Sequence, residues 1–143
     1  MGKIKILLAF FISFLFGFVF QVPRNTLLAC GLTGAVGYIS FTLIGLSQPL
    51  LLATLLAAMI IGILGELFAR IYKTPVTIFV TVGFIPLVPG LKAYNTILAL
   101  TNGEFTQGIE LGLQTLFTAG AIALGISVIS SVARMLKERA RIN

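Results

Sequence analysis

Residues Thr77 to Tyr94 read T-I-F-V-T-V-G-F-I-P-L-V-P-G-L-K-A-Y, an apolar stretch punctured by Gly83, Pro86, Pro89 and Gly90. It cannot form one clean helix, because each proline removes a backbone donor and its ring collides with a carbonyl one turn back. In hydrocarbon such broken backbone survives only where protein or a water-filled cavity satisfies the freed groups, and many transporters build substrate sites there. Val76 to Phe84 gives only about 13 Å of helix, too short for a bilayer core of roughly 30 Å. Crossing needs the second piece, Leu91 to Leu100. The stretch reads as one broken span, with a re-entrant loop as the alternative.

The rest of the chain has membrane composition. Of 143 residues, 58% are hydrophobic and 10% charged, and the mean hydropathy is +1.10, outside the usual range of soluble domains. Turn-forming breaks such as Pro23-Arg24-Asn25-Thr26 and Ser47-Gln48-Pro49 divide it into apolar runs. Spans are expected at about 4–22, 27–46, 50–68, 75–100 (broken) and 108–132, with a basic tail over 134–143. The expected fold is an all-α integral membrane protein: five transmembrane helices, the fourth broken at a Pro/Gly motif, in a single transmembrane domain. The first run has the basic start and apolar core of a secretory signal. Its end, F-V-F-Q-V-P, lacks small residues at the cleavage positions, so it reads as a retained span.

A net charge of +6 invites comparison with nucleic-acid binders, but the basic residues sit at the ends of apolar runs and no basic patch interleaves with stacking aromatics. Their distribution instead sets orientation. With five crossings, Arg24, Arg70, Lys73, Arg134, Lys137, Arg139 and Arg141 share the side of the C-terminus and Lys3, Lys5 and Lys92 the other. The excess of basic residues places the C-terminus in the cytoplasm. Histidine is absent and Cys30 is the single cysteine, so neither a Cys/His metal site nor an internal disulfide is available. The acids Glu66, Glu104, Glu110 and Glu138 are scattered, and no nucleophile–base pair or phosphate-binding loop is evident. These features argue against an enzyme and imply no cofactor; Glu66 and Glu110 are candidate proton carriers.

Small residues at intervals of four let helix backbones approach closely in lipid. They occur at Ala29, Thr33 and Gly37, at Gly31 and Ala35, at Ala58 and Gly62, and at Thr115, Ala119, Ala123, Ser127 and Ser131. The last set reads as a helix-packing surface or, alternatively, as the wall of a narrow path. Glu66 and Arg70 have the i,i+4 order that favours a helical ion pair. They read either as an interfacial end with snorkelling side chains or as the mouth of a substrate path.

Phe20 to Ala133 resembles the threonine/serine exporter family, specifically its smaller C-terminal half. The residues that carry the resemblance are F-Q-V-P-R-N-T-L-L-A-C-G-L-T-G-A-V-G-Y from Phe20, Arg70 shortly before Pro75, and I-P-L-V-P-G-L-K-A-Y from Ile85 to Tyr94. In that family the two halves occur fused or as two separate membrane proteins, both needed for export. The resemblance therefore implies a larger membrane subunit as partner and a small carboxylate-bearing substrate, threonine/serine or a dicarboxylate such as succinate, exported across the cytoplasmic (inner) membrane. Candidate substrate-binding residues are Pro86, Pro89, Gly90, Lys92, Tyr94 and Asn95, with Arg70. The N–H groups of Leu91, Lys92 and Ala93, at the restart of the broken helix, are expected to face an anion. The competing function is a non-transporting scaffold or small homo-oligomeric channel.

Overall fold

The computed structural model describes residues 2–142, with side chains placed for residues 4–139. The side chains of Lys3 and Arg141, counted above for orientation, lie outside the described residues. The chain forms six α-helices: α1 (Gly2–Val19), α2 (Leu27–Ile44), α3 (Leu50–Tyr72), α4 (Val76–Gly83), α5 (Gly90–Thr101) and α6 (Phe105–Ile142). Short 3-10 turns at Arg24–Thr26 and Ile85–Leu87 link α1 to α2 and follow α4. Among the described residues there is no strand.

The interior is built from small and hydroxyl residues, and the large apolar side chains point outward. Ala29, Cys30, Ala53, Ala57, Ala58, Thr33 and Thr54 are buried, while Leu7, Leu15, Leu28, Ile63, Leu67, Leu116 and Leu124 are exposed. This inverts the soluble pattern. It is what lipid selects, because tails solvate leucine and helices associate through close backbone approach. Glycines record those approaches: Gly31 faces Phe10, Gly37 faces Ile61, Gly65 faces Val80, and Gly125 faces the Leu55 carbonyl and Ala58. The contacts make α1/α2, α2/α3 and α3/α4 antiparallel neighbours and set α3 and α6 parallel. Arg70 and Lys73 therefore share one end of the bundle with Arg134, Lys137 and Arg139, and Leu50 and Pro86 lie toward the other.

Three helical stretches are each long and apolar enough to cross a membrane: Arg24–Ile44, Leu50–Tyr72 and Phe105–Arg139. Val76–Leu87 and Gly90–Thr101 meet at 54° and together make a fourth. The five crossings expected above are not reached by length and composition alone. The shortfall is in α1, whose apolar part Ile4–Val19 extends only about 24 Å.

Two features of α6 add to this. The α2 sets and the Ala58/Gly62 pair are buried, but in α6 Ala119, Ala123, Ser127 and Ser131 are exposed and Thr115 is only half-buried. The face that packs on α3 carries Ala121, Ile122, Gly125 and Ala133 instead. Spacing identified a smooth stripe but not which of two adjacent stripes this chain covers. The basic tail is also helical, continuing α6 to Ile142. Met135-Leu136-Lys137-Glu138-Arg139-Ala140 are strong helix formers, and no Gly or Pro stops the helix.

The break in the fourth segment is held by a single tertiary hydrogen bond. Pro86 has no N–H, so the carbonyl of Val82, four residues earlier, loses its helical donor. The Ser13 hydroxyl of α1 donates to that carbonyl at 3.1 Å, and both residues are fully buried. Gly34 of α2 leaves the room, since a Cβ there would collide with the Ser13 side chain. Ser13→Ala should lower stability by roughly 0.6–1.7 kcal/mol, the span of interhelical hydrogen bonds in membrane bundles. Gly34→Ala should cost more. Combining Gly34→Ala with Ser13→Gly should recover part of that loss, a non-additivity readable by thermal unfolding in detergent.

Candidate functional site

The kink between α4 and α5 opens on a cavity of about 250 Å³. Pro86, Leu87, Val88, Pro89, Gly90, Leu91 and Lys92 form one wall, and Phe41, Leu50, Thr54 and Thr118 complete it from α2, α3 and α6. The cavity is open to the outside of the bundle, since Leu50, Val88, Gly90 and Leu91 of its lining are exposed. Its lining is mostly apolar, with Lys92 as the charged group. The hydroxyls of Thr54 and Thr118 donate to the carbonyls of Leu50 and Gln114, at 2.8 and 2.7 Å. Their protons are engaged within their own helices, so toward the cavity these oxygens act as acceptors.

Donors come from the backbone. Gly90 N–H is held by the Val88 carbonyl at 2.8 Å and Ala93 N–H by the Pro89 carbonyl at 3.0 Å. Of the three amides expected to face an anion, Ala93 is thus already committed. Among the described residues no backbone acceptor serves Leu91 or Lys92, the usual condition of a helix's first turn. Gly90 itself is exposed, and a Cβ at that position meets nothing within 4 Å.

The expected site residues divide accordingly. Pro86, Pro89, Gly90 and Lys92 line the one cavity. Tyr94 is 61% exposed on the outer side of α5, and Asn95 is half-buried; neither lines a described cavity. Arg70 is exposed near the opposite end of α3, beside a separate cavity of about 370 Å³ that it shares with Glu66. The expected Glu66–Arg70 pair is not formed: Glu66 Oε2 lies 3.7 Å from Lys137 Nζ of α6. A side chain at the end of one helix chose a partner across the parallel packing of α3 and α6 over one a turn away. Sequence reasoning missed Thr54, Thr118 and Ser13. Lone hydroxyls inside apolar runs were the available signal, and which helices met was not.

A bundle with greasy outer faces, a Pro/Gly-broken helix and a hollow at the break has the build of a membrane transport protein. The chain belongs to the threonine/serine exporter (ThrE) family, whose family model matches residues 5–132. It is a membrane protein of a transporter family. The chain is also similar to an uncharacterised protein of Haemophilus influenzae, with 30% identity over 122 residues covering 79% of this chain and 41% of that relative. It thus spans less than half the length of the curated relative. No solved structure matches it.

Gly90 gives a way to separate a binding role from a structural one. Gly90→Ala should leave stability unchanged or raise it by up to about 1 kcal/mol, since the position has space and ordinary backbone geometry. If the free Leu91 and Lys92 amides bind an anion, transport should nevertheless fall, because a methyl beside them obstructs it; unchanged transport assigns the break a structural role alone. Thermal unfolding and cellular efflux measured on the same variant check both halves.

Proposed function

We propose that this chain is the small subunit of a secondary transporter that exports small carboxylate-bearing metabolites, threonine/serine or a dicarboxylate such as succinate, across the cytoplasmic membrane. The observation that carries this reading is the hollow at Pro86–Lys92, where a lysine and two free backbone N–H groups adjoin a bent helix. Half-helix N-termini favour anions through their unsatisfied donors and dipole. In this reading α1 and the bent pair both cross, giving five passes with the C-terminus in the cytoplasm, in keeping with the positive-inside rule. Arg70 stands at the cytoplasmic mouth, and Tyr94 and Asn95 meet substrate only once the kink moves.

A larger membrane subunit completes the transporter. Supporting this, the chain corresponds to 41% of its Haemophilus relative. The exposed α6 stripe of Ala119, Ala123, Ser127 and Ser131 also suits close approach of a further helix. This chain has no ATP-binding loop, so any energy it couples to transport comes from an ion gradient.

Efflux should appear only in cells that regain both subunits after loss of the pair. Lys92→Ala should reduce it about tenfold or more while membrane levels and assembly stay normal, as expected for loss of a charged hydrogen bond. Transport by this chain alone would identify a self-sufficient channel. Absence of transport with both subunits present would leave a scaffold.

A further inference from the structure

The cavity of about 370 Å³ beside Arg70 is a groove between α3 and α6. Ile63 and Leu67 line it from α3, and Ile129, Val132 and Leu136 from α6. All of these but Ile129 are exposed, so the groove opens on the face that the bundle turns to lipid. Ala133 is buried between the two helices and is too small to fill the space. From Ile63 to Arg70 is seven residues of α3, about 10 Å at helical rise. The result is an apolar trough that ends at a guanidinium, two residues before α3 stops at Tyr72.

The charges at that end of the bundle are not balanced. Glu66 also borders the groove, but its carboxylate lies 3.7 Å from Lys137, which meets it from α6. Among the described residues this is the only ion pair, and it leaves Arg70 exposed with no acid of the chain against it. Arginine does not lose its proton, so a permanent cation stands at the edge of apolar surface. Its planar fork of donors matches phosphate oxygens and is more weakly hydrated than an ammonium. Lys73, Arg134 and Arg139 stand at the same end, and such basic clusters next to membrane spans draw anionic lipid toward them.

We infer that this groove holds one anionic phospholipid, with an acyl chain along Ile63, Leu67, Val132 and Leu136 and the phosphate on Arg70. Both parts of the lipid find their match. The chain gains contact atoms on two sides where free bilayer would leave the trough loosely filled. The phosphate forms a charge-assisted pair with a group that the protein itself leaves unpaired. A free phosphate would leave the apolar lining uncovered, and a choline lipid carries its own cation, which competes with Arg70 for the phosphate. The inference stands on the membrane character of the chain and not on what it transports. It gives Arg70, expected from the resemblance to meet substrate, a partner in the bilayer.

The test is native mass spectrometry of the full chain in detergent, titrated with phosphatidylglycerol or phosphatidylcholine of identical acyl chains. The parent should bind one phosphatidylglycerol about fivefold or more tighter than phosphatidylcholine, the contribution of one basic group near anionic lipid. Arg70→Gln should bring the two lipids level. Arg24→Gln, at the same end but off the groove, should keep the preference of the parent. Val132→Phe occupies the groove and should weaken both lipids about fourfold or more, the loss of at least one buried methylene, without changing their ratio. Arg70 and Val132 are both exposed, so neither change disturbs the packing of the bundle. Excess glycerol 3-phosphate, a headgroup without chains, should displace neither lipid. Equal affinity for the two lipids in the parent, the same loss of preference in Arg24→Gln as in Arg70→Gln, or unchanged binding in Val132→Phe would each overturn the site. Displacement by glycerol 3-phosphate would make it a site for free phosphate and overturn it as well.

Discussion

The architecture depends on the carbonyl of Val82. Pro86 deprives it of a helical donor in the middle of an apolar bundle, where no water is at hand to replace the bond. The hydroxyl of Ser13 replaces it, and Ser13 is the only hydroxyl residue in α1. It reaches the carbonyl because Gly34 of α2 has no Cβ. A defect in α4 thus fixes the registers of α1, α2 and α4 together. Sliding α1 by one residue would rotate the hydroxyl away and leave a bare peptide group in hydrocarbon.

The break frees groups of two kinds, and they meet different fates. The two carbonyls whose helical donors the prolines remove are served by other groups: Val82 by Ser13, and the Ile85 carbonyl, which Pro89 cannot serve, by Val88 N–H at 3.2 Å. The donors of Leu91 and Lys92 stay open at the start of α5, beside the cavity. The open amides stand at the positive end of α5, where the helix dipole favours negative charge, and Lys92 adds to it. The 54° bend follows from the same chemistry, as α5 restarts in a new direction and packs mainly on α6.

What could be read beforehand was what backbone chemistry writes locally. The Pro/Gly break, the starts of α3 after Pro49 and α4 after Pro75, and the close-packed faces of α2 and α3 all follow from residue type and spacing. Pro86, Pro89, Gly90 and Lys92 share a cavity because they are neighbours in sequence. Partners chosen across the bundle were not legible. The stripe at Ala119 to Ser131 and the one at Ala121 to Ala133 are both small enough to pack, and only the placement of α3 decides between them. Glu66 had Arg70 one turn away, but the parallel course of α3 and α6 brought Lys137 to its carboxylate. Ser13 was invisible as a partner because nothing in α1 says which carbonyl lies opposite.

The break cavity and the cavity beside Glu66 and Arg70 have two helices in common, since α3 and α6 line both. Between them the bundle is closed by Ala57, Ala58, Ile61, Leu87 and Ile122, all buried. Ile61 is the keystone of this layer. Its side chain lies against Gly37 of α2 and Gly83 of α4, so closely that a Cβ at either position would crowd it. A side chain gripped by two helix backbones has no vacant rotamer to swing into. The Glu66 hollow and the Lys92 hollow therefore join only if the helices themselves part. The element best suited to yield is α4, which is only eight residues long and already interrupted at its far end. Its one buried side-chain hydrogen bond to α1, Ser13 to Val82, sits beside Gly83, so the contact that stabilises the break also resists opening of the septum.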